Sequence, residues 1–225
     1  MSQDAPVTRP ALRTPRSAAV AGIVFAVLLG LVITLVRVSV RADPAQAGTW
    51  LTDTHRRSAI KIAVSLVPFA GIAFLWFVGV IRDRVGRHED RFFATVFLGS
   101  GLLFVAMLFA AGAVVAGLLA VTSADSATPQ PGTWQLGRDM TFTLLTVYGA
   151  RMAAVFMITC ATIILRSGAA PRWLAMAGYL AAACLLMGVD VQHWLELLFP
   201  TWILVLSVQI LLTTASGEVS QARNR

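Results

Sequence analysis

The run IAVSLVPFAGIAFLWFVGVI at residues 62–81 is followed ten residues later by FFATVFLGSGLLFVAMLFAAGAVVAGLL at residues 92–119. Between the two runs lies the charged segment RDRVGRHEDR, with arginines at positions 82, 84, 87 and 91. About 20 apolar residues match the thickness of the hydrocarbon core of a bilayer, and a helix satisfies its own backbone hydrogen bonds there. The two runs therefore predict a transmembrane helical hairpin whose charged turn faces the cytosol.

The composition of the whole chain agrees with this prediction. Of its 225 residues, 57% are hydrophobic and 13% are charged, and the mean hydropathy is +0.76. Soluble domains carry about 25% charged residues, so we expect an integral membrane protein in the lipid bilayer, without a separate soluble domain. The net charge is +7, but the basic residues flank the apolar runs, as membrane topology requires. We therefore expect no nucleic-acid partner.

The pattern of apolar stretches predicts an all-α fold, an integral membrane bundle of six transmembrane helices. These helices are predicted at approximately residues 17–36, 60–81, 92–121, 141–165, 173–189 and 198–214. The other segments are predicted as a disordered basic tail at 1–16, a loop at 122–140 and a second tail at 215–225. A cleaved signal peptide is the alternative for the first stretch, because Ala45-Gln46-Ala47 resembles a cleavage site. The stretch is longer than the apolar core of a signal peptide and is followed by arginines, which favours a retained helix.

The distribution of basic residues predicts the orientation. With the N-terminus inside, 11 of the 18 lysines and arginines fall in cytosolic segments and six in outer segments. This excess has the direction of the positive-inside rule. We therefore predict a multi-pass protein of the cytoplasmic membrane with both termini in the cytosol.

Small residues in the third predicted helix indicate how helices pack. Ala106/Ala110 and Gly112/Ala116 are pairs of small residues four positions apart, and such pairs let helix backbones approach closely. We expect them to pack against neighbouring helices. A homo-oligomer or a membrane-protein partner is compatible with the same pattern.

Arg151 is the most unusual residue of the chain, because it lies about ten residues into the fourth predicted helix, near the bilayer midplane. An arginine at that depth costs at least about 2.5–3.5 kcal/mol, so we expect it to face the bundle interior or a hydrated cavity. Thr143, Thr146 and Tyr148 recur near helical spacing and are expected to line the same polar strip. One interpretation is a binding or conduction site for an anionic group. The other, which we favour, is a structural arginine bonded to helix carbonyls or to an acidic partner.

Asp190, His193 and Glu196 form a second polar group, three residues apart. On a helical turn they lie broadly on one side, and carboxylates and imidazoles bind zinc and other divalent ions. The alternative, which we favour, is a polar connection at the outer membrane surface with Trp194 as an anchor. We therefore expect neither a metal nor another cofactor.

The remaining residues exclude several activities. Cys160 and Cys184 differ by roughly 10 Å in predicted depth, which is too far for a disulfide. A haem bundle needs facing histidines inside helices, whereas His55, His88 and His193 all fall in predicted loops. No Gly-rich phosphate loop and no zinc-protease or serine-hydrolase motif is present. We expect a protein that is not an enzyme.

The hairpin sequence FLWFVGVIRDRVG, followed by EDRFFATVFLGSGLLF, resembles an uncharacterised family of small multi-pass membrane proteins predicted in actinobacterial genomes. Its members usually carry a similar Phe-Leu-Trp-Phe, an Arg-rich turn and a Gly-rich helix. The resemblance implies a membrane location and a helical fold, and it transfers no catalytic residue.

The sequence thus favours a non-enzymatic accessory or scaffold protein that works through helix packing. A transporter or channel for a small anionic or amphipathic solute, using Arg151, is the first alternative. A metal-dependent membrane enzyme with its site at the outer face is the second.

Overall fold

The protein is described by a computed structural model that covers residues 14–39, 54–85, 91–124, 131–168, 170–187 and 195–223. Within these ranges the secondary structure is helical apart from residues 168, 170 and 171, and the described residues contain no strand, which confirms the predicted all-α class. The longer elements are α1 (Thr14–Ser39), α2 (Thr54–Val85), α3 (Arg91–Ala124), α4 (Pro131–Phe142), α5 (Ala150–Ser167), α6 (Arg172–Met187) and α7 (Leu198–Arg223). A π-helical segment, Thr143–Gly149, joins α4 to α5, and a short 3₁₀ turn, Leu195–Leu197, precedes α7.

The helices correspond to the six predicted stretches, but several ends differ from the prediction. The predicted loop at 122–140 is wrong in its second half, because α4 begins at Pro131, where proline suits a first helical position. α2 begins at Thr54, so His55 lies in its first turn and not in a loop. Helical backbone continues to Arg223, through most of the predicted tail at 215–225. The predicted tail at 1–16 lies outside the described residues, apart from its last three positions.

Five described helical stretches are long and apolar enough to cross a membrane, judged by their length and composition. They are Arg16–Val36, Thr54–Arg82, Phe92–Val121, Gly132–Ser167 and Leu195–Thr214, and α6 is a shorter apolar helix. Large apolar side chains also cover the outside of the bundle, among them Val24, Trp76, Leu103 and Leu180. Soluble monomers rarely expose so much apolar surface, so this exterior is of the kind that suits lipid.

The centre of the bundle is a cluster of phenylalanines, and Phe74 of α2 lies in its middle. Its ring centroid lies 4.6 Å from that of Phe25, 5.1 Å from Phe156, 5.4 Å from Phe104 and 5.7 Å from Phe199. Most of these pairs are tilted or edge-to-face, the arrangements that aromatic rings prefer. Because these five rings come from α1, α2, α3, α5 and α7, one cluster joins five helices.

α1 packs closely against α2 and α7. Gly22 of α1 faces Ser207 of α7 and the ring of Phe77 of α2, and a methyl group there would overlap both. By contrast, Ala106 and Ala116 of the predicted small-residue pairs are exposed, so the prediction that they pack within the bundle is wrong. Gly112 does pack, against Val67 of α2.

Each end of the bundle has its own contacts. At one end Arg166 lies over the ring of Phe93, with the guanidinium carbon 4.5 Å from the ring centroid, so the end of α5 adjoins the start of α3. At the other end Ile60, Leu118, Leu119 and Trp134 form a separate small apolar core between α2, α3 and α4. The cysteines 160 and 184 are both free thiols.

Candidate functional site

The fourth span is interrupted by the π-helical segment Thr143–Gly149. At its end the backbone N–H of Ala150 donates to the carbonyl of Leu145, five residues earlier instead of the usual four. Single π turns inside α-helices are rare and are frequent at functional sites. Two features adjoin this segment: a polar face outside the bundle and a mostly apolar cavity beside it.

The outer feature contains Arg151 in the first turn of α5. Its Nη1 donates a hydrogen bond of 2.9 Å to the backbone carbonyl of Val147. The side chain is exposed, as are those of Thr143 and Tyr148. Among the described residues, no acidic side chain pairs with Arg151. We call Thr143, Tyr148 and Arg151 together the outer polar face.

The expectation that Arg151 faces the interior of the bundle is therefore wrong. The residues of the predicted polar strip also do not share one face. Thr146 is half-buried and its hydroxyl donates to the carbonyl of Phe142, whereas Thr143 and Tyr148 are exposed. The physical reason is the π segment, which holds more residues per turn than an α-helix and so rotates one half of the span relative to the other. A prediction based on uniform α-helical spacing assigns these side chains to the wrong faces.

The depth of Arg151 in the bundle follows from the packing of Gly149. A methyl group on Gly149 would lie 3.8 Å from Cβ of Met107 in α3. Met107 stands at the middle of the apolar stretch Phe92–Val121. Arg151 is two residues further along, or about 3 Å at the rise of an α-helix. The outer polar face therefore lies halfway along the apolar length of the bundle.

The inner feature is a half-open cavity of about 130 Å³ bordered by α1, α3, the fourth span, α6 and α7. Its lining is mostly apolar and includes Leu29, Val32, Phe104, Leu108 and Ala153. This volume is slightly smaller than that of an apolar cavity, about 150 Å³, that binds benzene. We call this space the inner cavity.

Three polar side chains also line the inner cavity. The hydroxyl of Thr141 donates to the carbonyl of Gly137, and that of Thr146 to the carbonyl of Phe142, both at 2.8 Å. Glu196, in the 3₁₀ turn before α7, is half-buried and is the one ionisable side chain among the described lining residues. Arg151 does not line this cavity.

The predicted metal candidate is described only in part. Asp190 and His193 lie outside the described residues. Within the described ranges, no group of three potential ligands approaches metal-binding geometry. The proposed assembly of Asp190, His193 and Glu196 stays a prediction.

Sequence reasoning missed both the π segment and the inner cavity. The lining of the cavity is drawn from residues scattered over the chain between Leu29 and Phe199. The one local signal in the sequence was the glycine at position 149. A Cβ atom on this residue would lie 3.1 Å from the carbonyl oxygen of Leu144.

Comparison with known proteins adds no further information about the site. No family model matches the chain, and no curated protein or solved structure matches it. The resemblance of the hairpin to the actinobacterial family stays a prediction.

Proposed function

We propose that the protein is a non-enzymatic accessory subunit that spans the membrane with six helices and binds a membrane-protein partner. The outer polar face carries this proposal, because it presents an arginine halfway along an otherwise apolar exterior. We place the protein in the cytoplasmic membrane with both termini in the cytosol, since the contact of Arg166 with Phe93 sets two basic turns at one end.

The energetic argument starts from the cost of the cation. An arginine facing hydrocarbon at mid-depth is unfavourable by at least about 2.5–3.5 kcal/mol. One hydrogen bond to the Val147 carbonyl compensates only part of this cost, since a bond to a charged group is worth about 1.5–3 kcal/mol. A carboxylate from another helix would compensate more, because charge-assisted hydrogen bonds strengthen where water is excluded.

The partner is a different protein and not a second copy of this chain. Of the 11 acidic residues of the sequence, two fall inside the five long apolar stretches: Asp139, twelve residues before Arg151, and Glu196, the second residue of its stretch. A second copy therefore has no carboxylate at the depth of Arg151. The partner is predicted to carry an aspartate or glutamate within one of its own membrane helices.

Site-specific photocrosslinking in native membranes tests the proposal. A benzophenone amino acid replaces Tyr148, whose side chain is 55% exposed, and the matched control replaces Leu180 of α6, which is 69% exposed. We expect one discrete membrane protein to crosslink at position 148 and not at 180. We also expect this crosslink to disappear in Arg151→Leu and to return when Arg151→Asp is combined with an arginine in place of the partner's carboxylate.

The stability of Arg151→Leu separates this role from a structural one. Loss of the bond to Val147 within the same helix should change the free energy of unfolding in detergent by no more than about 1.5–3 kcal/mol. A protein that no longer assembles after this substitution would indicate a structural arginine. Crosslinks to lipid alone at position 148, or equal crosslinks at both positions, would refute the partner proposal.

The two alternatives from the sequence have less support. Transport of an anion through the bundle needs Arg151 at an internal route, whereas Arg151 is exposed and does not line the inner cavity. A metal-dependent reaction needs Asp190 and His193, which lie outside the described residues. Metal analysis of the purified full-length protein, with Asp190→Asn and His193→Ala as controls, tests that alternative.

A further inference from the structure

We propose that the inner cavity binds one acyl chain of a membrane lipid, which enters it from the side of the bundle. This inference rests on the membrane location that the proposed function includes, but it does not depend on a membrane-protein partner. The inner cavity and the outer polar face share no residue, so the two proposals are tested separately and either can fail alone.

The open side of the cavity lies between α1 and the fourth span. Most of the lining residues that keep part of their surface exposed belong to these two elements, among them Ile33 and Phe142. The lining residues Phe104, Leu108 and Ala153, from α3 and α5, are buried. The cavity therefore has a buried floor at α3 and α5 and an opening on the exterior of the bundle.

This opening lies within the apolar length of the helices. Ile33 belongs to the apolar stretch Arg16–Val36, and Phe142 belongs to Gly132–Ser167. In a bilayer, apolar stretches of this length lie in the hydrocarbon core. The medium next to the opening is therefore hydrocarbon, so a lipid acyl chain can enter the cavity without leaving the bilayer.

The lining of the cavity selects an apolar occupant. Its walls are mostly aliphatic and aromatic side chains. The hydroxyls of Thr141 and Thr146 donate to carbonyls of their own span, and Glu196 already takes part in an interaction of its own. A polar ligand that gives up its hydrogen bonds to enter an apolar space without replacing them pays a cost in free energy. An alkyl chain has no such bonds to lose.

The volume and the half-open shape favour a linear chain. At about 130 Å³ the cavity is slightly smaller than one that binds benzene. A linear alkyl chain is narrower than an aromatic ring, and the part of it that does not fit can extend through the opening into the surrounding lipid. The end of an acyl chain therefore fits this space better than a compact ring.

The wall beside the opening contains part of the π-helical segment. Leu145 and Thr146, which line the cavity, both belong to Thr143–Gly149. Single π turns inside α-helices are frequent at functional sites. The irregular turn of the fourth span thus coincides with the open side of the cavity, as expected of a binding surface.

Photolabelling by a lipid tests the proposal. The full-length protein is reconstituted in phosphatidylcholine vesicles that contain a phosphatidylcholine with a diazirine near the end of one acyl chain, and mass spectrometry locates the labelled residues after illumination. We expect labelling of Phe104 and Leu108, which are buried but line the cavity. Phe97, buried on the same helix and not part of the lining, should stay unlabelled. Leu103, exposed on that helix, should be labelled by any surrounding lipid.

A pair of variants tests the cavity itself. Ala153→Leu fills part of the cavity from α5 and should abolish labelling of Phe104 but not of Leu103. Ala106→Leu is the matched control, because it adds the same side chain at an exposed position outside the cavity, and it should leave both labels unchanged.

Three results would overturn the proposal. The first is labelling at exposed residues such as Leu103 without labelling of Phe104 in the unmodified protein, a comparison that decides the result even if Ala153→Leu fails to fold. The second is unchanged labelling of Phe104 in a folded Ala153→Leu protein. The third is labelling of Phe104 by a free, short alkyl diazirine but not by the lipid, which would assign the cavity to a small apolar solute.

Discussion

Replacement of Gly22 by alanine should destabilise the bundle, although alanine is the better helix former. A Cβ at position 22 would lie 2.8 and 2.9 Å from two ring carbons of Phe77, and it would also meet the hydroxyl oxygen of Ser207. Carbon atoms pack at about 3.5–4.0 Å, so α1 would have to move by roughly 1 Å. Phe77 and Ser207 are both fully buried and have little room to yield.

The magnitude follows from two opposing terms. Overpacking of a close interface costs about 1–3 kcal/mol, whereas glycine to alanine inside a helix gains at most about 1 kcal/mol. We expect a net loss of about 1–2 kcal/mol for Gly22→Ala. Gly30 on the same helix is the matched control, because a methyl group there meets no atom within 4 Å. Gly30→Ala should therefore be neutral or slightly stabilising.

Thermal unfolding in detergent, followed by circular dichroism, measures this difference. For a protein of this size each 1 kcal/mol shifts the midpoint by about 2–4 °C. We expect a lower midpoint for Gly22→Ala only, and partial recovery when Ser207→Ala removes the nearest obstructing atom. Equal midpoints for the Gly22 and Gly30 variants would refute the close packing of α1 on α7.

Two further pairs of substitutions, each a variant with its control, test individual contacts by the same measurement. Ser207→Ala alone should be neutral or stabilising, because its buried hydroxyl has no hydrogen-bond partner among the described residues. Ser100→Ala removes hydrogen bonds to the carbonyls of Val96 and Phe97 and should cost about 1 kcal/mol. A larger loss of stability for Ser207→Ala than for Ser100→Ala would contradict this expectation. Trp202→Phe should lower stability by about 1–2 kcal/mol, because its indole N–H donates to the Leu174 carbonyl at 3.0 Å and links α7 to α6. Trp173→Phe, at a ring that is 58% exposed, should change the stability little. Equal losses of stability for the two tryptophan variants would argue against the link between α7 and α6.

The sequence predicted the helices well because their signal is strong and local. A stretch of 20 or more apolar residues is visible without knowledge of its neighbours, and the charged segment after residue 81 marks the turn of the hairpin. The start of α4 was missed because residues 131–140 combine Pro131, Gly132 and Gly137 with polar residues, a composition typical of turns. In the structure this part of α4 packs against α3, where Gly137 contacts Leu118.

The direction of side chains was predicted less well, and the reason is physical. In a soluble helix the polar face shows which side is exposed, whereas in these helices both sides are apolar because lipid and protein interior are alike. On the same helix Ala106 is exposed and Ala111 is buried, and the residue type does not distinguish the two positions. For Arg151 the error had a second source, since the π segment changes the helical register by an amount that spacing rules do not include.

The phenylalanine cluster has a consequence for the order of assembly. Its rings come from α1, α2, α3, α5 and α7, so no single pair of neighbouring helices contains the whole cluster. Phe199 of α7 is the last of these residues in the chain, and its ring lies 5.7 Å from that of Phe74. Insertion of α7 therefore closes a core that the preceding helices leave incomplete.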